Sequence, residues 1–191
     1  LLTADSQSAE RLEQELGFFA PQLSVLHFPD WETLPYDQFS PHQDIISQRI
    51  ASLYRLPELS RGVLVVPITT ALHRLAPTRF LLGTSLVLDV GQKLNVEQMR
   101  TRLESAGYRC VDTVYEHGEF AVRGALIDLF PMGSELPYRI DLFDDEIETL
   151  RTFDAETQRS IDKVESIRLL PAREFPLDKK AVTDFRARFR E

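Results

Sequence analysis

The chain has 191 residues, of which 43% are hydrophobic and 27% charged, and its formal net charge is −8. This length is sufficient for one good core or two small ones, whereas no apolar run approaches the roughly 18 residues that span a bilayer. Because no charged-then-apolar leader opens the chain either, we expect a soluble, cytoplasmic protein that is not secreted.

Residues 1–78 alternate helix and strand signals, as in an α/β fold. The clearest helix signal has Ser40 as its expected N-cap, Pro41 at the first helical position and Gln43 completing a capping box. The run GVLVVPI at 62–68 predicts a parallel strand buried on both faces, because its apolar residues do not alternate with polar ones. Two or three strands are too few for a complete doubly wound domain. We therefore expect the chain to be a fragment of a longer protein.

From residue 79 to 171 the pattern changes to α+β. Asn95, with Gln98 three residues later, predicts a helix start, and a charged helical segment is expected at the end of residues 172–191. Turn residues between the apolar stretches predict an antiparallel meander. The predicted strands cover residues 85–90, 110–115, 119–130, 137–143, 147–153 and 166–170.

The strand over residues 138–143 places a large aromatic on the side that is normally polar. Alternation puts Arg139, Asp141 and Phe143 on one face. Phe143 is therefore either covered by another part of the chain or free for a partner. Aromatic and arginine side chains are enriched at the centres of protein interfaces, so the second reading predicts a docking patch.

Arg123 is the second arginine of interest, because Gly124 follows it within the predicted strand 119–130. A glycine in the middle of a strand indicates a bulge or a place where another backbone comes close. Two interpretations of Arg123 and Arg139 stay open: surface ion pairs with neighbouring carboxylates, or a patch with Phe143 that docks onto an acidic groove.

The negative charge is concentrated in residues 111–170, which hold 14 acidic and 6 basic side chains. Such a segment repels duplex DNA, because nucleic-acid binding needs lysine and arginine at the phosphates. DNA binding therefore remains an alternative only for the first part of the chain. Its possible phosphate contacts are Arg49, Arg55, Arg61, Arg74 and Arg79.

No glycine is followed by the Lys and Ser or Thr of a phosphate-binding Walker A loop, so we expect neither an enzyme nor a bound cofactor. Cys110 is the sole cysteine and has no local signature of a nucleophile. Trp31 stands in FPDWETLPYD at 28–37, a Pro-interrupted aromatic loop that we call the Trp31 loop, and is either an exposed stacking platform or a cap over the core. Two further groups are weak candidates for metal ligands, the acids Asp141, Asp144, Asp145, Glu146 and Glu148 and the scattered histidines His27, His42, His73 and His117.

Three strings in the chain carry a family resemblance: FPDWETLPYDQFSPHQDIISQRI, EHGEFAVRGALIDLFPMGSELPYRIDLFDDEIETLRTFD and LLPAREFP. They resemble the amino-terminal region of the bacterial transcription-repair coupling factors, the Mfd family, over nearly the whole chain. The motifs GEFAVRG and FDDEIETLR are more distantly similar to the repair protein UvrB.

This resemblance implies a fold of two parts. Residues 1–78 would be a partial α/β, helicase-like domain with a parallel sheet, similar to UvrB domain 1a, and residues 172–191 the start of domain 1b. Residues 79–171 would be an inserted α+β domain with an antiparallel sheet that binds UvrA. The positions that match the family's UvrA contacts are Arg123, Arg139 and Phe143.

The resemblance also implies functions that reside outside this chain. RNA polymerase and duplex DNA would be bound by other domains, and ATP with Mg²⁺ would be used by a DNA translocase that displaces stalled polymerase. For this chain it implies a monomeric binding module. The alternatives are a DNA-binding fragment or a residual nucleotidase.

Overall fold

The computed structural model describes residues 1–34 and 37–189, so Pro35 and Tyr36 of the predicted Trp31 loop and the last two residues of the C-terminal segment lie outside it. The helices are α1 (Ser6–Phe19), α2 (Gln43–Arg55), α3 (Ile68–Ala71), α4 (Thr78–Thr84), α5 (Val96–Ser105) and α6 (Lys179–Phe189). The strands are β1 (Leu2–Thr3), β2 (Ser24–His27), β3 (Gly62–Pro67), β4 (Leu86–Asp89), β5 (Arg109–Cys110), β6 (Glu119–Arg123), β7 (Leu126–Leu129), β8 (Tyr138–Phe143), β9 (Glu146–Phe153), β10 (Ser160–Val164) and β11 (Ser166–Leu169). The expected mixture of helices and several sheets is confirmed. No described helix is long and apolar enough to cross a membrane.

The first sheet contains β1, β3 and β2 in that order, all parallel. The central strand β3 has neighbours on both sides and buries Val65 and Val66. Gly62 begins this strand where a Cβ would lie 2.4 Å from the Ser24 carbonyl oxygen, so the two strands approach too closely there for a side chain. Helices α1 and α3 also contact β3, and strands covered by helices carry apolar residues without alternation.

The second sheet has six strands in the order β10-β9-β8-β7-β6-β5. Strands β6 to β10 form an antiparallel meander, and β5 adds in parallel to β6. The apolar side chains of one face join α5 and the two-stranded ladder of β4 and β11 in the main core. This core includes Met99, Leu103, Ile127, Ile140 and Leu150.

Helix α2 connects the two sheets. Its Ile50 is fully buried in the main core, while its Ser52 hydroxyl donates to the His27 carbonyl of β2 at 2.5 Å. The Ser47 hydroxyl accepts a hydrogen bond from the Gly133 amide at 2.8 Å. The helix therefore packs against both sheets.

The predicted strand 119–130 is wrong as a single element. It is a hairpin of β6 and β7, with Gly124 in the turn at φ +63° and Arg123 paired with Leu126. Arg123 thus lies at the end of a strand rather than in its middle. A positive φ favours glycine, so Gly124 serves a tight turn and not a bulge.

Other boundaries also differ from expectation. The N-cap of α2 is His42, whose Nδ1 accepts from the Asp44 amide, and not Ser40. The Asn95 cap of α5 is confirmed, because its side chain accepts from the Gln98 amide at 2.9 Å. Of the predicted strand 110–115 only Cys110 lies in a strand, at the end of β5, and β10 has no counterpart among the predicted strands.

Candidate functional site

Phe143 projects from the end of β8 on the face of the six-stranded sheet that lies opposite the main core. It is 70% exposed, whereas Ile140 and Leu142 of the same strand are buried on the core side. Its partner in the ladder is Glu146 of β9. The aromatic ring is thus not covered by the described part of its own chain.

We call the part of this side that runs from Arg123 and Arg139 to Phe143 the open face; elsewhere the same side is covered by a small second core of Val114, Ala121, Phe130 and Phe153. The chemistry of the open face resides in side chains from four neighbouring strands. They are Arg123 of β6, Asp128 of β7, Arg139, Asp141 and Phe143 of β8, and Thr149 and Arg151 of β9.

Asp128 organises one end of the open face. Its side chain is only 1% exposed and accepts hydrogen bonds from both Arg123 and Arg139. Arg139 binds both carboxylate oxygens, with Nε to Oδ1 at 2.7 Å and Nη2 to Oδ2 at 3.0 Å. A buried carboxylate is costly unless it is paired, so the two arginines compensate the charge of Asp128. Because both donate to the same carboxylate, their guanidinium groups are held side by side.

The two arginines differ in how much surface they offer. The Arg139 side chain is 16% exposed, donates from Nη1 to the Gln158 carbonyl at 3.2 Å and lies 4.8 Å from the Phe153 ring centroid. Hydrogen bonding to Asp128 raises the pKa of Arg139, so its positive charge is permanent. Arg123 has a side chain that is 46% exposed, with one nitrogen bonded to Asp128.

A second ionic group lies further along the sheet, towards Phe143. Arg151 donates from Nη2 to Asp141 Oδ2 at 2.6 Å, and the Thr149 hydroxyl donates to the same oxygen at 2.8 Å. Thr149 and Arg151 were not predicted as site residues, and Asp141 was named only as a weak candidate metal ligand. Sequence parity gave no signal for Arg151, because a register shift in β9 places it on the opposite face from Ile147, four residues earlier, and on the face of its ladder partner Arg139.

The structure therefore brings together two of the three predicted site residues and leaves the third apart. Arg123 and Arg139 meet at Asp128, whereas Phe143 lies four residues beyond Arg139 on β8, or about 13 Å along a strand. The group of Arg151 and Asp141 occupies the interval. Arginine and aromatic side chains are the residue types enriched at the centres of protein interfaces.

The acids at the β8–β9 hairpin have structural explanations. Asp144 adopts φ +54° in the turn, and Lys93 binds Asp145 at 3.1 Å. Asp144 and Asp145, together with Glu146 and Glu148, line a hollow of about 330 Å³ beside Phe143. Within residues 1–34 and 37–189, no group of three His, Cys, Asp or Glu side chains converges in a way that holds a metal ion.

Arg49 is not a phosphate contact, because its side chain is fully buried. It donates from Nε and Nη2 to Glu174, at 2.5 and 3.2 Å, and from Nη1 to the Pro29 carbonyl at 2.6 Å. Trp31 packs in the same cluster, with its indole nitrogen 3.0 Å from Glu174 Oε1 and its ring stacked on His73. This placement fits the cap interpretation of Trp31.

A cleft of about 900 Å³ separates the Trp31 loop from the β5–β6 region. Most polar side chains that line it are engaged by neighbours. Arg109 donates to Glu119 at 2.6 Å, and His117 contacts Asp44 at 2.7 Å and the Ser134 carbonyl at 2.7 Å.

Comparisons with known proteins agree with the resemblance noted in the sequence. A family model described as the UvrB interaction domain matches residues 86–175. Over all 191 residues the chain is 57% identical to the transcription-repair-coupling factor of Escherichia coli K12 and 53% identical to that of Haemophilus influenzae. Over 183 residues it is 31% identical to the same factor of Staphylococcus aureus USA300. The chain spans 16 to 17% of the length of these relatives.

Proposed function

Because this chain belongs to the family of transcription-repair coupling factors, we propose that it is the module through which such a factor recruits UvrA in transcription-coupled nucleotide excision repair of DNA. The observation that carries this function is the uncovered ring of Phe143, on the same sheet face as Arg123 and Arg139. The mechanism is recruitment by binding, without covalent chemistry.

A partner that docks on this face gains an apolar contact and charged hydrogen bonds. Burying a phenylalanine side chain contributes about 1.5 to 3 kcal/mol, and its exposed position leaves that free energy available to a complex. Arginines bind carboxylates with two parallel hydrogen bonds, so they add orientation to the apolar anchor. A partner with an apolar socket beside acidic groups fits this arrangement.

The fold supports a division of labour along the chain. We propose that residues 79–171 are the inserted UvrA-binding domain, and that residues 1–78 and 172–191 belong to the helicase-like domain on either side of it. The parallel order β1-β3-β2 fits the helicase-like half, and the antiparallel meander fits the insertion. In the longer protein, other domains would bind RNA polymerase and duplex DNA, and a translocase would use ATP and Mg²⁺, in the bacterial cytoplasm.

The test is Phe143→Ala, measured by titration calorimetry against UvrA. We expect the affinity to fall at least about tenfold, which is about 1.4 kcal/mol, while the thermal midpoint stays unchanged because the ring is exposed. Phe18→Ala is the matched control, since Phe18 is 78% exposed on α1, in the other part of the molecule. Equal affinity for the two variants would exclude the open face as the UvrA site.

Two competing functions have separate tests. Arg55, Arg61, Arg74 and Arg79 are exposed in the first part of the chain, so a steep salt dependence of duplex binding would favour DNA recognition there. Turnover of ATP by this chain alone would favour a nucleotidase. We expect neither.

A further inference from the structure

We propose that Arg151 is a further partner-contacting residue of the open face, and that it binds an acidic group of the partner between the Arg123–Arg139 pair and Phe143. This inference rests on the proposed function. It adds a residue that neither the sequence patterns nor the family resemblance selects, and it makes the partner's contact surface continuous.

Arg151 lies in the interval between Arg139 and Phe143. Its guanidinium extends from β9 to the Asp141 carboxylate of β8, and Asp141 lies two residues from Phe143 on the same face. Two residues along a strand span about 7 Å. A partner that touches both Arg139 and Phe143 must therefore pass directly over the Arg151 guanidinium.

Within the described part of the chain, Arg151 has a guanidinium nitrogen that is free to donate to a partner. An arginine has five N–H donors in a planar fork. Arg139 and Arg151 each make three hydrogen bonds within the chain, and those of Arg139 come from all three of its nitrogens, on Asp128 and Gln158. Arg151 uses Nε and Nη2, on Thr149 and Asp141, and among the described residues no acceptor binds its Nη1.

The Arg151 side chain is also more exposed than that of Arg139. The Arg151 side chain is 36% exposed against 16% for Arg139, although the two residues are direct ladder partners. Its acceptor Asp141 is itself 25% exposed, whereas Asp128 beneath Arg139 is almost completely buried. The guanidinium of Arg151 is thus held in place from one side and open on the other, which lowers the entropic cost of binding a carboxylate.

The experiment compares UvrA binding by Arg151→Ala and Arg100→Ala, using titration calorimetry at low and moderate salt. Arg100 is the matched control because it lies on α5, the helix that packs on the opposite side of the sheet, and also pairs with a single exposed carboxylate, Glu104. We expect Arg151→Ala to weaken binding about tenfold and to reduce the salt dependence. Arg100→Ala should leave both unchanged.

Arg151→Lys provides the second variant, since it keeps the charge but loses the planar fork. It should bind more tightly than Arg151→Ala and less tightly than the unaltered chain. Thermal melts of all variants check that each is folded before its affinity is interpreted.

The outcomes separate this inference from the proposed function. If Phe143→Ala weakens UvrA binding and folded Arg151→Ala does not, Arg151 is no contact residue and the proposed function stands. If neither variant weakens binding, the open face as a whole is not the UvrA site.

Discussion

Two arginine–carboxylate clusters in this chain use the same chemistry for different ends. Arg49 and Glu174 are sealed between the Trp31 loop and α2, where Arg49 also contacts the Phe28 ring at 4.1 Å. Arg123 and Arg139 share Asp128 on a face that solvent reaches. The two clusters thus share the ion pair and differ in exposure: the Arg49 side chain is fully buried, whereas those of Arg123 and Arg139 are 46% and 16% exposed.

The sharpest way to break this comparison is Arg49→Ala. Removing the cation leaves the Glu174 charge buried without compensation, so we expect the free energy of unfolding to fall by about 3 to 5 kcal/mol. Urea denaturation measures the loss. Arg61→Ala, at an exposed arginine in the same part of the chain, should change stability by less than about 0.5 kcal/mol.

A double variant sharpens the result. Arg49→Ala with Glu174→Ala should be more stable than Arg49→Ala alone, because the second change removes the unpaired charge. A double variant less stable than the single one would show that Glu174 has partners of its own strong enough to hold it, such as the indole N–H of Trp31.

Asp128→Ala gives the next largest effect and acts at the open face. Arg139 loses both acceptors of its bidentate pair, so we expect about 1 to 3 kcal/mol less stability and a several-fold weaker affinity for UvrA. Urea denaturation and calorimetry measure the two quantities. Asp162→Ala, at an exposed residue of β10 in the same sheet, is the control for both. A stable variant with unchanged affinity would mean that Asp128 does not position the arginines.

The smallest expected effect concerns the ion pair of Arg109 and Glu119, in which the arginine side chain is exposed and the glutamate side chain is nearly buried. Burial raises the pKa of Glu119, but the amides of Tyr115 and Glu116 and the Arg109 guanidinium outweigh it, so the net pKa is lowered. A lowered folded pKa gives stability that is present above the unfolded pKa of about 4.5 and is lost as the pH falls through the folded value.

Glu119→Gln should therefore cost about 1 kcal/mol or less at pH 7, and the difference from the unaltered chain should shrink as the pH falls below about 4.5. Urea midpoints across that pH range measure it. Glu10→Gln, at an exposed residue of α1, should show no comparable trend. A constant difference at every pH would assign the effect of Glu119 to packing.

Local chemistry explains which parts of the fold the sequence predicts. The cap of α5 depends on one side chain and one nearby amide, so Asn95 and Gln98 are sufficient to locate it. The alternation of β8 predicts the faces of Ile140 and Phe143, because a strand alternates whatever its neighbours are. The hairpin at Gly124 is missed because apolar residues continue on both sides of a turn too short to interrupt the pattern.

The errors at the sites arise from packing that no local pattern encodes. Arg49 was read as a surface residue, although it lies three residues after Ile46 and four before Leu53, on the inner face of α2. Asp128 lies between the apolar residues Ile127 and Leu129 in the sequence, and its buried carboxylate requires a partner. The partners, Arg123 and Arg139, come from the neighbouring strands β6 and β8. Only the register of the sheet brings these residues together.

Helix α2 has a consequence for how the molecule moves. Because Ile50 fills the core beneath the six-stranded sheet and Ser52 ties the same helix to β2, a hinge between the parallel and antiparallel sheets would first have to strip α2 from one of them. Motion of the open face relative to β2 is thereby coupled to partial unfolding. We expect a force applied to either part to reach the other through α2, so that Phe143 moves together with β2.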